Sequence, residues 1–284
     1  MIIGNANVFV DGKFQKGSVA VENGVITAIG PAGWPCDVDA QGKYLVPGFI
    51  DVHTHGAMNE DFSDGKPEGL PAMSKHYAAH GVTSFLATTM TLKEEVLTPA
   101  METIRGFVRP ADGAKCAGIH LEGPFLSYAK RGAQAAENLH KPDAEMFHRL
   151  NAASGGQVKL VTVAPEEEGA IPFIEEVSKV CTVSIGHTTA NYETAMAAYA
   201  AGAPTHHLSY GMPSLLHREP GRHCRCPWTA VPPWSSSATA CTSTPPSFGL
   251  PTACSARSWS SSATLCAARA CPTASMSWAA SPSR

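Results

Sequence analysis

The sequence predicts an α/β protein, an incomplete (β/α)8 barrel of the TIM type preceded by a small β-sandwich portion. Three observations carry this. From about residue 45 onward, short continuous apolar segments alternate with helical ones, the pattern of parallel strands covered on both faces by helices. The alternation repeats about six times, and repeated βα units favour a closed barrel. Ionisable residues fall again and again where the predicted strands end, which is where such barrels keep their chemistry.

Residues 1–45 behave differently. MIIGNANVFV, then the turn DGK, then GSVAVENGVITAIG with Asn23-Gly24 as a hairpin signal, predict short antiparallel strands joined by tight turns. Residues 46–221 form the predicted partial barrel. YLVPGFIDV (44–52) leads into PAMSKHYAAHG (71–81), VTSFLATTM (82–90) into EEVLTPAMETIRGFV (94–108), and CAGIHLEGPF (116–125) into a loop and DAEMFHRLNAA (143–153). VKLVTVAPE (158–166) then leads into AIPFIEEVSKV (170–180), CTVSIGHTT (181–189) into YETAMAAYAAG (192–202), and APTHHLSYGM (203–212) supplies a sixth strand. Two units are short of closure. An open doubly wound sheet is the alternative, but no Gly-rich phosphate loop follows any of these strands.

Residues 222–284 are of another kind. They contain no Asp, Glu, Lys, Asn, Gln, Ile or Tyr, while Ser, Ala, Pro and Thr dominate and four of the five tryptophans appear. So few aliphatic residues cannot build a core, and a disordered tail is expected. The mixture is what GC-rich coding DNA gives when read out of frame, so a frameshift near codon 222 is the hypothesis; resequencing that returned an intact frame would sink it.

Composition narrows the function. With 284 residues and 44% hydrophobic content the chain can bury a large core. A net charge of −3 with mixed signs argues against nucleic acid. The N-terminus has neither the basic start nor the apolar run of a signal peptide, and no apolar run approaches the ~20 residues that span a bilayer, so a cytoplasmic protein without membrane contact is expected. Cys36, Cys116 and Cys181, scattered singly through the first 221 residues, suit reduced thiols.

The chemistry centres on imidazoles. His53 and His55 end the first barrel strand one residue apart, and side chains at i and i+2 of a strand share a face, so both rings can address one ion. Glu122 ends the third strand, His187 the fifth and His206-His207 the sixth. One carboxylate with several imidazoles suits zinc or a similar divalent ion, which polarises carbonyls and activates water. Elsewhere, His120 shares a strand face with Glu122 and is expected to fill the barrel interior. His76 and His80 sit on an outer helix without the Glu of a zinc-protease motif, and His140 and His148 are expected at the surface.

Five motifs in order, PGFIDVHTHG (47–56), GIHLEGPF (118–125), AKRGA (129–133), IGHTTA (185–190) and HLSYGMPSLLHREPG (207–221), resemble those of the N-acetylglucosamine-6-phosphate deacetylases of the amidohydrolase superfamily, and the resemblance runs from the N-terminus to residue 221. It implies a (β/α)8 barrel with a β-sandwich made from both chain ends, a divalent metal cofactor, zinc first and iron or another ion as alternatives, and an amino-sugar phosphate as the small-molecule partner. It implies that Glu122, His187 and His207 bind the principal ion, with His206 one register away as the alternative to His207, and that His53 and His55 make a second ion possible. Ala133, Tyr210 and Gly211 match substrate-contacting positions, Tyr210 standing where Asn is common, and Arg218 matches a phosphate-binding position. A guanidinium fork suits phosphate. The implied proton-transfer Asp of the eighth strand has no counterpart, since no carboxylate follows Glu219. A homodimer is the assembly common in the family.

Overall fold

A computed structural model describes residues 1–206. The first compact unit holds residues 1–49 and the second begins at Ile50. In the first, β1 (Ile2–Val10), β2 (Lys13–Glu22) and β3 (Val25–Gly30) form an antiparallel meander. Its turns, Asp11-Gly12 and Asn23-Gly24, each take φ near +51° and then +78°, the left-handed pair that a two-residue hairpin matching strand twist requires.

The sheet is not purely antiparallel as the sequence suggests. β4 (Val38–Asp39) and β5 (Tyr44–Leu45) run parallel to β1 on its free edge, in the order β3-β2-β1-β4. The reason is the Pro-Ala-Gly-Trp-Pro segment at 31–35. It cannot make a two-residue hairpin, so the chain crosses over before pairing again. Ala6, Val8 and Val19 are buried on one face of this sheet, with Val10, Val21, Ala40 and Leu45 packed against them.

The second unit is built on a six-stranded sheet in the order β13-β12-β11-β10-β9-β6, formed by β6 (Phe49–Thr54), β9 (Val82–Thr89), β10 (Lys115–Glu122), β11 (Val158–Val163), β12 (Thr182–Ile185) and β13 (Thr205–His206). Spatial order is sequence order, and the pairings from β9 through β13 are parallel. Sequential parallel pairing with a helix in each crossover is how a βα barrel grows, so these strands form part of such a barrel. A small antiparallel pair, β7 (Gly56–Ala57) and β8 (Glu60–Asp61), follows β6 directly. Gly56 is needed there: at φ +153°, a Cβ would lie 2.0 Å from the Glu60 carbonyl oxygen.

The crossover helices are α1 (Gly69–Ala79), α2 (Glu94–Arg105), α3 (Ala144–Ala153), α4 (Ala170–Val177) and α5 (Tyr192–Ala200), each within a few residues of its predicted segment. Asp143 caps α3 by accepting from the Met146 amide at 3.1 Å, and Asn191 caps α5 by accepting from the Thr194 amide at 2.8 Å, satisfying helix-start donors that otherwise lack partners. The helices press Leu97, Met101, Phe147, Leu150 and Ile174 onto Phe85, Ile119, Leu121, Val161 and Ile185 of the strands, in one continuous core. This buried apolar area is the main force holding the half-barrel layer together. Among the described residues, no helix is long and apolar enough to cross a membrane.

Phe147 is fully buried on α3 and meets Phe173 of α4 at 6.1 Å between ring centroids. Phe147→Ala is expected to cost ~3–5 kcal/mol through lost transfer energy and the cavity left behind. Chemical denaturation reads this directly, and a loss under about 1 kcal/mol would mean that α3 is not part of the cooperative core.

Candidate metal centre

Glu122 is the last residue of β10 and is almost fully buried. A carboxylate out of water needs donors on both oxygens, and the neighbouring strand ends supply them. Just past the end of β6, His55 places Nε2 2.9 Å from Oε2; on β6, His53 brings Nε2 to 3.8 Å from Oε1, an ionic rather than a hydrogen-bonding distance. From the loop after β12, His187 places Nε2 2.9 Å from Oε1. Gln134, in the loop after β10, donates its amide to Oε2 at 2.8 Å. Its own Oε1 accepts the Thr91 amide N–H at 2.8 Å, which fixes which end of the amide faces Glu122.

The far side of each ring is engaged too. Nδ1 of His55 faces the Thr88 carbonyl at 3.2 Å and Nδ1 of His187 faces the Lys130 carbonyl at 2.9 Å. A carbonyl only accepts, so both Nδ1 atoms carry hydrogen, and Nε2 is the atom left to offer a lone pair. This is the usual arrangement behind a metal-ligating histidine. Nδ1 of His53 lies 3.2 Å from Nδ1 of His120, whose Nε2 lies 2.8 Å from the Thr162 hydroxyl. His120 is fully buried inside the sheet, where its strand position puts it.

The donor set fits a divalent ion. One ligating atom from each of His53, His55 and Glu122 lies within 4.8 Å of the other two. His55 and His187 address opposite carboxylate oxygens, so one carboxylate can serve two positions. Imidazole nitrogen and carboxylate oxygen are ligands that zinc and its neighbours accept.

The Glu122 carboxylate also shifts the proton affinity of the imidazoles that face it. Burial pulls the His55 imidazole down, but the Glu122 hydrogen bond and charge, aided by Asp61, more than offset it and leave the group above its ordinary value. His187 is raised for the same balance of reasons, burial against Glu122, with the Lys130 and Arg131 backbone assisting. Two positions before His53 on β6 stands Asp51, fully buried; burial pushes it up to about 7, against a partly offsetting hydrogen bond from the His53 amide.

The loops carrying these groups are interlocked. The Thr91 hydroxyl donates to the Glu122 carbonyl at 3.1 Å and Asn138 donates to the Thr91 carbonyl at 3.1 Å. The Ser127 amide donates to the His187 carbonyl at 3.0 Å. His187 itself has φ +49°, a region few non-glycine residues occupy.

Of the residues singled out from sequence, the structure brings His53, His55, Glu122 and His187 together. Ala133 lies exposed in the same loop as Gln134, one residue before it. His206 closes β13 beside Ile185 of β12. His207, Tyr210, Gly211 and Arg218 lie outside the described residues. Sequence reasoning missed Gln134, Thr91 and Asp51. Asp51 had a signal in its i−2 and i−4 spacing from the histidines, on the same strand face.

Parallel βα units with imidazoles and a carboxylate converging at their C-terminal ends define a metal-binding barrel protein. Residues 44–226 match the model of the amidohydrolase family, and the chain belongs to that family. It is 35% identical over 228 residues to an N-acetylglucosamine-6-phosphate deacetylase of Lysinibacillus sphaericus, covering 78% of this chain and 59% of that protein. It is 33% identical over 215 residues to an N-acetylgalactosamine-6-phosphate deacetylase of Escherichia coli O157:H7, covering 74% and 56%. The crystal structure of N-acetyl-D-glucosamine-6-phosphate deacetylase from Mycobacterium smegmatis superimposes with a TM-score of 0.71 at 30% identity, covering 78% of this chain and 60% of that one. The chain thus spans rather more than half the length of these relatives.

Metal must displace the protons that His55 and His187 hold above the ordinary imidazole value of 6.5. Zinc loading is therefore expected to release protons, and affinity to fall as pH drops through that raised range. For the ion-free protein the opposite sign is expected: the raised values favour the folded state below the unfolded imidazole pKa, and that gain is lost as pH rises through the folded ones. Calorimetric zinc titrations in buffers of different ionisation enthalpy measure the release. Uptake without proton release at pH 6 to 7 would contradict this account of the imidazoles.

Proposed function

We propose that the chain is a metal-dependent deacetylase that converts N-acetylglucosamine 6-phosphate to glucosamine 6-phosphate and acetate. The observation that carries the reading is the buried Glu122 carboxylate, met by His53, His55 and His187 at the strand ends of an amidohydrolase-family segment. The deacetylases among its relatives support the substrate class.

In this reading Glu122 and His187, with His207 or His206, hold the principal ion, and His53 with His55 hold a second. Zinc suits the nitrogen and oxygen donors best, with iron or another divalent ion as the alternative. The ion supplies the power to polarise an amide carbonyl and to lower the pKa of water towards ~7. Gln134, donating to Glu122 Oε2, helps to orient the carboxylate. Ala133, Tyr210 and Gly211 would line the sugar, and Arg218 would pair with its phosphate through both arms of the guanidinium. A homodimer working in the cytoplasm completes the proposal.

One observation favours a second reading, a barrel fragment that binds metal but turns over poorly. No Asp or Glu stands between Glu219 and Arg284, so these residues offer no side-chain carboxylate to take the proton of the attacking water and pass it to the leaving amine. General acid-base catalysis contributes about 10²- to 10⁴-fold.

Acetate release from N-acetylglucosamine 6-phosphate and its galactosamine epimer, by the zinc-loaded chain and by a version with its frame restored after residue 221, separates the readings. Release is expected from the restored version, with the present chain slower by about 10²-fold or more. Equal rates would refute the second reading, and no release from either would refute the first. Glu122→Gln should abolish tight metal binding in both, because an amide lacks the charge and the second acceptor oxygen that the carboxylate offers.

A further inference from the structure

We infer that Glu166, which is not one of the candidate ligands, is a positioning residue that sets His187 for metal binding. The inference rests on the reading of His187 as a ligand. Glu166 follows Ala164-Pro165 just beyond the end of β11. Its carboxylate crosses to the loop between β12 and α5, accepting hydrogen bonds from the Thr188 hydroxyl, the Thr189 amide and, at 2.9 Å, the Thr189 hydroxyl. The Thr188 hydroxyl in turn accepts the Ala190 amide N–H at 2.8 Å. Thr188 is fully buried, so that hydroxyl both donates and accepts away from bulk water.

The site needs such a clamp because of the backbone of His187. At φ +49° it occupies a region that persists in a non-glycine residue only when its surroundings over-determine it. The preceding peptide is fixed by the Gly186 amide donating to the Val163 carbonyl at 3.1 Å, and the His187 carbonyl by the Ser127 amide at 3.0 Å. The next two residues are held from across the site by Glu166. With that side released, the loop can relax towards ordinary backbone angles and draw Nε2 off its 2.9 Å contact with Glu122. Charge-assisted bonds to a carboxylate are about twice as strong as neutral ones, which suits this task.

The test uses the full 284-residue chain and cobalt(II) as the probe ion. Glu166→Ala is expected to weaken cobalt binding by about 10- to 100-fold, the usual effect of losing an outer partner of a ligand, and to change the ligand-field absorption of the bound ion. Glu166→Gln keeps one acceptor oxygen and should fall between the two. Thr188→Val, which keeps the shape and removes the hydroxyl, should move affinity and spectrum in the same direction if the alanine variant does not fold. Leu150→Ala, buried on α3 far along the chain, lowers the melting temperature but should leave the cobalt spectrum as it is. Wild-type affinity and spectrum in both Glu166→Ala and Thr188→Val would overturn the inference. Failure of the unmodified chain to bind cobalt would instead overturn the metal reading on which it stands.

Discussion

The centre of this molecule depends on one buried carboxylate. Glu122 sits at the end of the third strand of the sheet, where its ionised form would cost several kcal/mol if left without partners. The partners come from three places: the end of β6 sends two imidazoles, the loop after β12 sends a third, and the loop after β10 turns back to send Gln134. No local piece of chain could satisfy both oxygens. The carboxylate is therefore a constraint on tertiary structure as much as a ligand, since β6, β10 and β12 must stop at the same level for the contacts to close. Parallel register from β9 to β12, set by the apolar core below, together with the pairing of β6 with β9, puts them there.

Much of this was legible in the chain. The alternation of apolar strand and amphipathic helix located five helices and the strands between them, because both periods are imposed by one buried sheet. His53, His55, Glu122 and His187 were legible because strand ends are predictable and ionisable residues there are few. The parallel edge of the N-terminal sheet was less so. Its strands β4 and β5 are two residues each, too short for alternation to register, and their direction depends on a crossover rather than on a turn motif.

Gln134, Thr91 and Asn138 were illegible for a different reason. Each acts through a partner distant in the chain, Gln134 to Glu122, Thr91 to Glu122 and Asn138 to Thr91. Gln and Asn in a polar loop read as solvent-facing, and only the closure of the loop over a buried charge turns them into structural donors. The same holds for Glu166, whose neighbours Glu167 and Glu168 make it look like one of a surface run. Asp51 is intermediate: its spacing from the histidines was visible, but spacing cannot say that burial will outweigh the donors around a carboxylate.

The groups divide unevenly along the chain. Four candidate ligands and the donors that orient them lie before residue 190, whereas Tyr210, Gly211 and Arg218, proposed to meet the substrate, come later, and no Asp or Glu stands between Glu219 and Arg284 to serve the proposed proton transfer. On the proposed function, holding an ion and turning over a substrate would therefore make separable demands on this sequence. An ion needs only fixed donors at strand ends, which the first five βα units supply, and hydrolysis also needs a base that exchanges protons with water and amine. The described Glu122 network does not depend on such a base, because it draws its partners from His187 and the residues before it, with the single histidine proposed from the sixth strand as the exception. On the proposed function, metal affinity would thus be a property of the half-barrel, and the rate of deacetylation would depend on the residues beyond it as well.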